Sequence, residues 1–228
     1  MSDPRTVSEE RTLGPMRSTI ADRLQESYRN AVHVTVSRSV DAEPLVETVE
    51  AAPDHVSMVD GVMLALSATL EAHPSFNATF EDGIHRLFAD QHVGIAVDVE
   101  AGLVTPVLRN LGSLSLVEIG AERRRLVELV QAGDHSMSDL QHGTVTVSNL
   151  GPLGVDSFTP IINPPEVAIL GVDRLRQRPV PGEDGPEFRR EIGFDLTIDH
   201  RIVDGADAAR FLGTLGTELA TIGEPVGE

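Results

Sequence analysis

Apolar residues recur along this chain at two different periods, and the order in which those periods change limits the architectures open to it. Met16, Ile20, Leu24 and Tyr28 fall on one face of a helix ending near Asn30. Val32, Val34, Val36 and Val40 then alternate with His33, Thr35 and Ser37, the pattern of a half-buried strand. A short helix is expected around Pro44–Ala51, and Ser57 caps a strongly apolar helix running to about Ala72. Strands are expected at Phe76–Thr79, His85–Phe88, Val93–Val99 and Leu103–Leu108, separated by Asp82-Gly83 and Ala101-Gly102. Ser115–Gln131 reads as a helix with a polar face and Gly143–Ser148 as a strand. Val167–Val172 and Ile192–Ile198 are apolar enough for central strands, with a turn at Gly182–Pro186 between them, and Ala206 to about Ile222 closes the chain as a helix. Strands that come in clusters, without strict alternation with helices, predict one mixed α/β domain over residues 15–223. It lies between a polar lead-in, 1–14, and a polar tail, 224–228.

Composition removes several function classes. There are no cysteines, so disulfides, thiolate metal sites and cysteine nucleophiles are excluded. All 18 basic residues are arginine; without lysine the chain can form no Schiff base and can itself carry no biotin or lipoyl arm. A net charge of −18 opposes nucleic-acid binding, which needs a basic stripe to displace counterions. No apolar run approaches a membrane span and the first 11 residues lack a secretory segment, so a cytoplasmic protein with no membrane partner is expected. Many carboxylates without lysine also fit a halophilic protein, whose self-repulsion is screened by concentrated salt, although GC-rich coding has the same effect on lysine.

Three segments can carry chemistry. Asp199-His200-Arg201-Ile202-Val203-Asp204-Gly205 lies between an expected strand and an expected helix, where a fold can hold a histidine at a cleft edge. Taken alone, His200 and Asp204 are more often structural than catalytic, and no third ligand stands at a spacing that would make them a metal site. Ser148-Asn149-Leu150-Gly151 follows a strand; its serine can donate to an oxyanion, or the Ser-Asn pair simply forms a turn. Ile161-Ile162-Asn163-Pro164-Pro165-Glu166 is a stiff loop entering a buried strand. His33, on the polar side of its strand, fits packing better than chemistry, and Arg123–Arg125 read either as solvated and paired or as attractors for phosphate.

In this order the segments resemble the dihydrolipoamide acyltransferases, the catalytic cores of 2-oxoacid dehydrogenase complexes. DHRIVDG looks like the family's active-site signature, and GTVTVSNLGPLG and IINPPEVAILG look like the segments that precede it. MRSTIADRL resembles the opening helix, and HPSFNATF and HVGIAVDVEAGLVTPVLRN the middle strands, so the likeness covers about Leu13–Ile222. It implies a mixed-sheet two-layer α/β sandwich like that of chloramphenicol acetyltransferase, assembled as a homotrimer with sites between subunits. It further implies acyl exchange between dihydrolipoamide and coenzyme A, with coenzyme A a substrate and no metal. Carried over by position, His200 is the general base, Ser148 the oxyanion donor and Asp204 the signature's acidic residue, which a salt bridge to Arg17 would orient. Asn149, Gly151 and the segment Leu103, Val104 and Thr105 are the implied substrate contacts.

Because the chain has no lysine, a lipoyl domain must come from another chain, and 2-oxoacid dehydrogenase and dihydrolipoamide dehydrogenase subunits are the further implied partners. The polar ending Gly223–Glu228 lacks the apolar segment that joins family trimers into cages, so assembly is expected to stop at the trimer. Two other functions stay open: acyl transfer to a small-molecule acceptor, and a non-catalytic assembly subunit. A truncated gene product also fits.

Overall fold

The computed structural model describes residues 6–100, 102–182 and 185–223. Residues 6–14 are irregular and exposed. Its first five residues, Ala101 of the expected turn and the expected tail 224–228 lie outside the described residues.

The elements run α1 (Pro15–Asn30), β1 (His33–Asp41), α2 (Glu43–Glu50), α3 (Met58–Ala72), β2 (Ala78–Glu81), β3 (Ile84–Leu87), β4 (Val93–Ile95), β5 (Val97–Val99), β6 (Gly102–Val104), β7 (Val107–Leu108), α4 (Leu116–Ala132), β8 (Val145–Asn149), β9 (Ala168–Gly182), β10 (Gly185–Asp199) and α5 (Gly205–Ala220). Six strands form one sheet in the order β1-β10-β9-β8-β4-β7. β8 is parallel to both β9 and β4, while β1/β10, β10/β9 and β4/β7 are antiparallel. Each parallel pairing needs a crossover connection. Between β4 and β8 the crossover contains α4; between β8 and β9 it is the loop 150–167, which has no α-helix.

One sheet face builds the core. Val145, Val147, Leu170, Val172, Phe194, Leu196 and Ile198 are buried on it, against α3 and α5. Ala208, Phe211, Leu212, Leu215 and Leu219 recur at helical spacing on α5 and are buried. Phe211 meets Phe76 with ring centroids 4.4 Å apart. The opposite face presents Thr146, Ser148, Gly171, Asp195 and Thr197, and α1 and the loop 150–167 lie over part of it.

Three expected strands differ from the structure. Phe76 lies in a one-turn 3-10 helix, Pro74–Phe76, where its ring joins the core instead of a ladder. Val93–Val99 breaks at Ala96: Val93–Ile95 pairs with β8, and Val97–Val99 leaves to pair with β6. Leu103–Leu108 breaks at Thr105-Pro106, consistent with proline's missing N–H.

Candidate active site

The loop after β10 is fastened by Asp199, the first residue of the signature segment, to which the sequence assigns no role of its own. Asp199 accepts the Val32 N–H at 3.2 Å, the Arg201 N–H at 3.1 Å and the Arg201 Nε–H at 2.9 and 3.0 Å. Burial opposes its charge, but the Arg201 guanidinium and these N–H groups outweigh burial and hold the carboxyl below its ordinary value. Arg201 in turn lies 4.8 Å over the Phe80 ring. The one available signal was spacing: an aspartate ending a strand with an arginine two residues on.

With that anchor, the His200 N–H donates to the Val32 carbonyl at 2.8 Å, and the imidazole is 39% exposed. Its Nδ1 is 3.7 Å from Asp204 Oδ1, too long for a hydrogen bond. The Asp204 side chain is 78% exposed, and among the described residues it meets no arginine. The expected Asp204–Arg17 salt bridge is therefore corrected: Arg17 lies instead against Gly102, where a β-carbon would come 3.3 Å from its Cζ. Loop geometry comes from Asp199 and Arg201, while the Asp204 carbonyl accepts the first N–H bonds of α5.

Ser148 is elsewhere. Its side chain opens into a cavity of about 550 Å³ between the sheet, α1 and the loop 150–167. Leu103, Val104 and Thr105 line it, with Met16, Ile20, Leu24, Phe158 and Ile169. His135, also on its wall, carries no signal in the sequence; its buried Nδ1 has no partner among the described residues. Ser148 pairs with Gly171 and Gly171 with Asp195, and His200 lies beyond Asp195 on the strand two places across. At ~3.3 Å per residue and ~4.8 Å per strand, the two side chains are on the order of 15–20 Å apart within one chain. They cannot share a substrate atom there.

The family described as "2-oxoacid dehydrogenases acyltransferase (catalytic domain)" matches residues 6–224. The chain belongs to this family. It is 39% identical over 165 residues to the dihydrolipoyllysine-residue acetyltransferase component of the Haemophilus influenzae pyruvate dehydrogenase complex, covering 71% of this chain and 29% of that protein. It spans between 29% and 53% of the first few curated relatives it matches. A crystal structure of Azotobacter vinelandii dihydrolipoamide acetyltransferase, in which a serine, a histidine and an asparagine were probed for their catalytic role, superposes with TM-score 0.90. That match has 32% identity and covers 97% of this chain and 98% of that one. Chloramphenicol acetyltransferase shares the fold, with TM-score 0.59, 13% identity and coverage of 87% and 94%.

The other expected contacts of this acyltransferase-family chain sort differently. Asn149 and Gly151 do not line the cavity: the Asn149 Oδ1 accepts the Gly151 N–H at 3.0 Å, and a β-carbon at Gly151 would meet the Asp173 carbonyl at 2.6 Å. They shape the turn after β8. His33 accepts the Ile162 N–H at 3.3 Å and stacks on Tyr28, a packing role. Arg123 and Arg125 are paired with Asp60 and Glu122, leaving neither guanidinium without a partner.

Two buried carboxyls are held uncharged more readily than usual, Glu166 beside the cavity and Asp173 on β9. Glu166 accepts the Thr146 hydroxyl at 2.6 Å and the Asn163 amide at 2.9 Å, yet burial pushes it up to about 7. Burial and the neighbouring Asp195 likewise push Asp173 up to about 7. A carboxyl raised in the folded state binds its proton more tightly there than in the unfolded chain. Its stabilisation is complete below the unfolded value and is lost as pH rises through about 7. For Glu166 alone the loss is on the order of 3 kcal/mol. Thermal unfolding followed from pH 5 to 8 is expected to show falling stability, and Glu166→Gln, which cannot ionise, to flatten that fall. An unchanged slope in Glu166→Gln would show the carboxyl already charged at pH 5.

Proposed function

We propose that this chain is the catalytic domain of a dihydrolipoamide acyltransferase, moving an acyl group between coenzyme A and a lipoyl arm. The observation that carries this reading is the division of the site: His200 at an exposed rim, Ser148 in a cavity, and a separation no single substrate atom can bridge. A symmetric oligomer in which one subunit's rim faces the next subunit's cavity makes both halves whole. A trimer is the assembly this supports, with 2-oxoacid dehydrogenase and dihydrolipoamide dehydrogenase subunits as partners.

The chemistry follows from the two groups. A thiol titrates near ~8.5 and is mostly protonated at neutral pH, whereas an imidazole near ~6.5 is free to accept its proton. His200 takes the proton as the thiol sulfur attacks the thioester carbonyl carbon and a new C–S bond forms. The carbonyl electron pair moves onto oxygen, where the Ser148 hydroxyl donates to it. The old C–S bond then breaks, and the departing thiolate regains the proton from His200. No net redox change occurs, and no covalent acyl-enzyme is required.

The deciding experiment pairs two inactive variants. Wild-type protein in concentrated KCl, the condition suited to a lysine-free acidic surface, is expected to transfer acyl groups from acyl-CoA to dihydrolipoamide. Ser148→Ala and His200→Ala, each nearly inactive alone, are unfolded together and refolded into mixed trimers. About a quarter of their sites then hold both groups, and activity should return to that level. Mixed trimers without recovery would sink the shared site. Wild-type transfer to alcohols or amines, but not to dihydrolipoamide, would replace the acceptor.

A further inference from the structure

Phe158 stands where the loop 150–167 meets the Ser148 cavity. Gly171 is the register partner of Ser148, and the Phe158 ring covers it so closely that a β-carbon there would lie 2.8 Å from the ring Cζ. Phe158 and Ser148 border the same cavity. Polar contacts from below fasten this segment of the loop. The Phe158 N–H donates to Asp195 Oδ2 at 2.6 Å, the Ser157 hydroxyl donates to the same oxygen at 2.9 Å, and the Ser37 hydroxyl donates to Oδ1. Asp195 is fully buried on β10, with Asp173 beside it on β9. A buried carboxylate that accepts three donors fixes their geometry, because losing it leaves each of them unpaired.

We infer that Phe158 sets the length of the acyl chain accepted beside Ser148, and that Asp195 is the positioning residue that keeps its ring there. The inference rests on the acyl transfer proposed above. A thioester carbonyl within reach of Ser148 places its alkyl chain in the adjoining apolar space, and the Phe158 ring closes the side of that space over Gly171. An aromatic ring with its backbone pinned is a fixed wall. Removing it frees room for several methylenes, and each methylene in an apolar pocket changes preference about 10-fold or more.

The test reads binding apart from turnover. S-alkyl coenzyme A thioethers from ethyl to octyl, which transfer nothing, are titrated calorimetrically into wild type, Phe158→Ala, Asp195→Asn and Asp195→Ala, with acyl-CoA turnover measured beside them. The octyl-to-ethyl affinity ratio is expected to rise about 10-fold or more in Phe158→Ala and in Asp195→Ala. It should stay near wild type in Asp195→Asn, which keeps an acceptor for the Phe158 N–H. If Asp195→Ala does not fold, Asp195→Leu combined with Ser37→Ala and Ser157→Ala, which removes the carboxylate together with two of its three donors, takes its place. An unchanged ratio in Phe158→Ala overturns the length limit. A change there but not in Asp195→Ala or its substitute overturns the positioning role. Length-selective binding without transfer from any thioester would leave this pocket standing and remove the proposed reaction, and no thioether binding by any of the proteins would overturn both.

Discussion

Replacing His200 by alanine is expected to lower acyl transfer by about 10²–10⁴-fold, the contribution of one positioned general base. The residue is suited to that measurement because little of the fold depends on its ring. The loop is held by the Asp199–Arg201 pair, by the His200 N–H bond to Val32, and by the start of α5. The imidazole is 39% exposed and touches a carboxylate only at 3.7 Å, so alanine leaves neither a large cavity nor a buried unpaired group. Thermal unfolding and trimer formation should therefore match wild type while turnover falls. The pH profile adds a second reading: the limb that reflects base ionisation should vanish from the residual rate. An active His200→Ala protein would move the base elsewhere, and His135 on the cavity wall is the imidazole to test next. Asp204 is expected to matter far less than its place in the signature implies, because its carboxylate is 78% exposed and pairs with no arginine described here.

The parts of the fold legible in the sequence are those in which one face is buried and the other wet. α1, α3 and α5 have helical apolar spacing, and each lies within two residues of its expected bounds. The β9–β10 hairpin shows where that signal ends. Its inner halves, Ala168–Val172 and Ile192–Ile198, are buried and were readable as central strands. The outer halves, with Arg174, Arg176, Arg178, Arg189 and Arg190, project past the sheet with both faces exposed. Alternation has no apolar partner there, and backbone pairing alone continues the strands. The site divides in the same way. Local motifs identify His200 and Ser148, since each sits at a strand end in a distinctive loop. Asp195 looks like an ordinary strand residue, and Asp199 like no more than the first residue of the signature, until the register places Asp195 under Phe158 and Asp199 beside Val32.

Removing the carboxylate of Asp60 is expected to destabilise the protein by about 3–5 kcal/mol, the cost of stranding one partner of a buried ion pair. Asp60 is fully buried at the start of α3. It accepts the Arg123 Nε–H at 2.6 Å and an Nη2–H at 3.0 Å, tying α3 to α4. It also accepts the Ser57 N–H at 2.7 Å and the Ser57 hydroxyl at 2.8 Å, satisfying a donor at the helix N-terminus. Asp60→Ala thus leaves a largely buried guanidinium with only the His55 carbonyl at 3.3 Å, and frays α3 at the same time. The desolvation of Arg123, more than the lost attraction, dominates the loss. The pair is therefore separable from its partners: Asp60→Leu combined with Arg123→Met should recover much of the stability, since neither charge then remains to be buried. Chemical denaturation of the two single variants and the double variant measures the coupling. A single-variant loss below about 1 kcal/mol would mean that water reaches Arg123 and the pair acts as a surface one. The same variants decide the phosphate reading for Arg123. If Arg123 served coenzyme A phosphates, Arg123→Met would raise the KM for coenzyme A while leaving unfolding unchanged; a guanidinium committed to Asp60 requires the reverse.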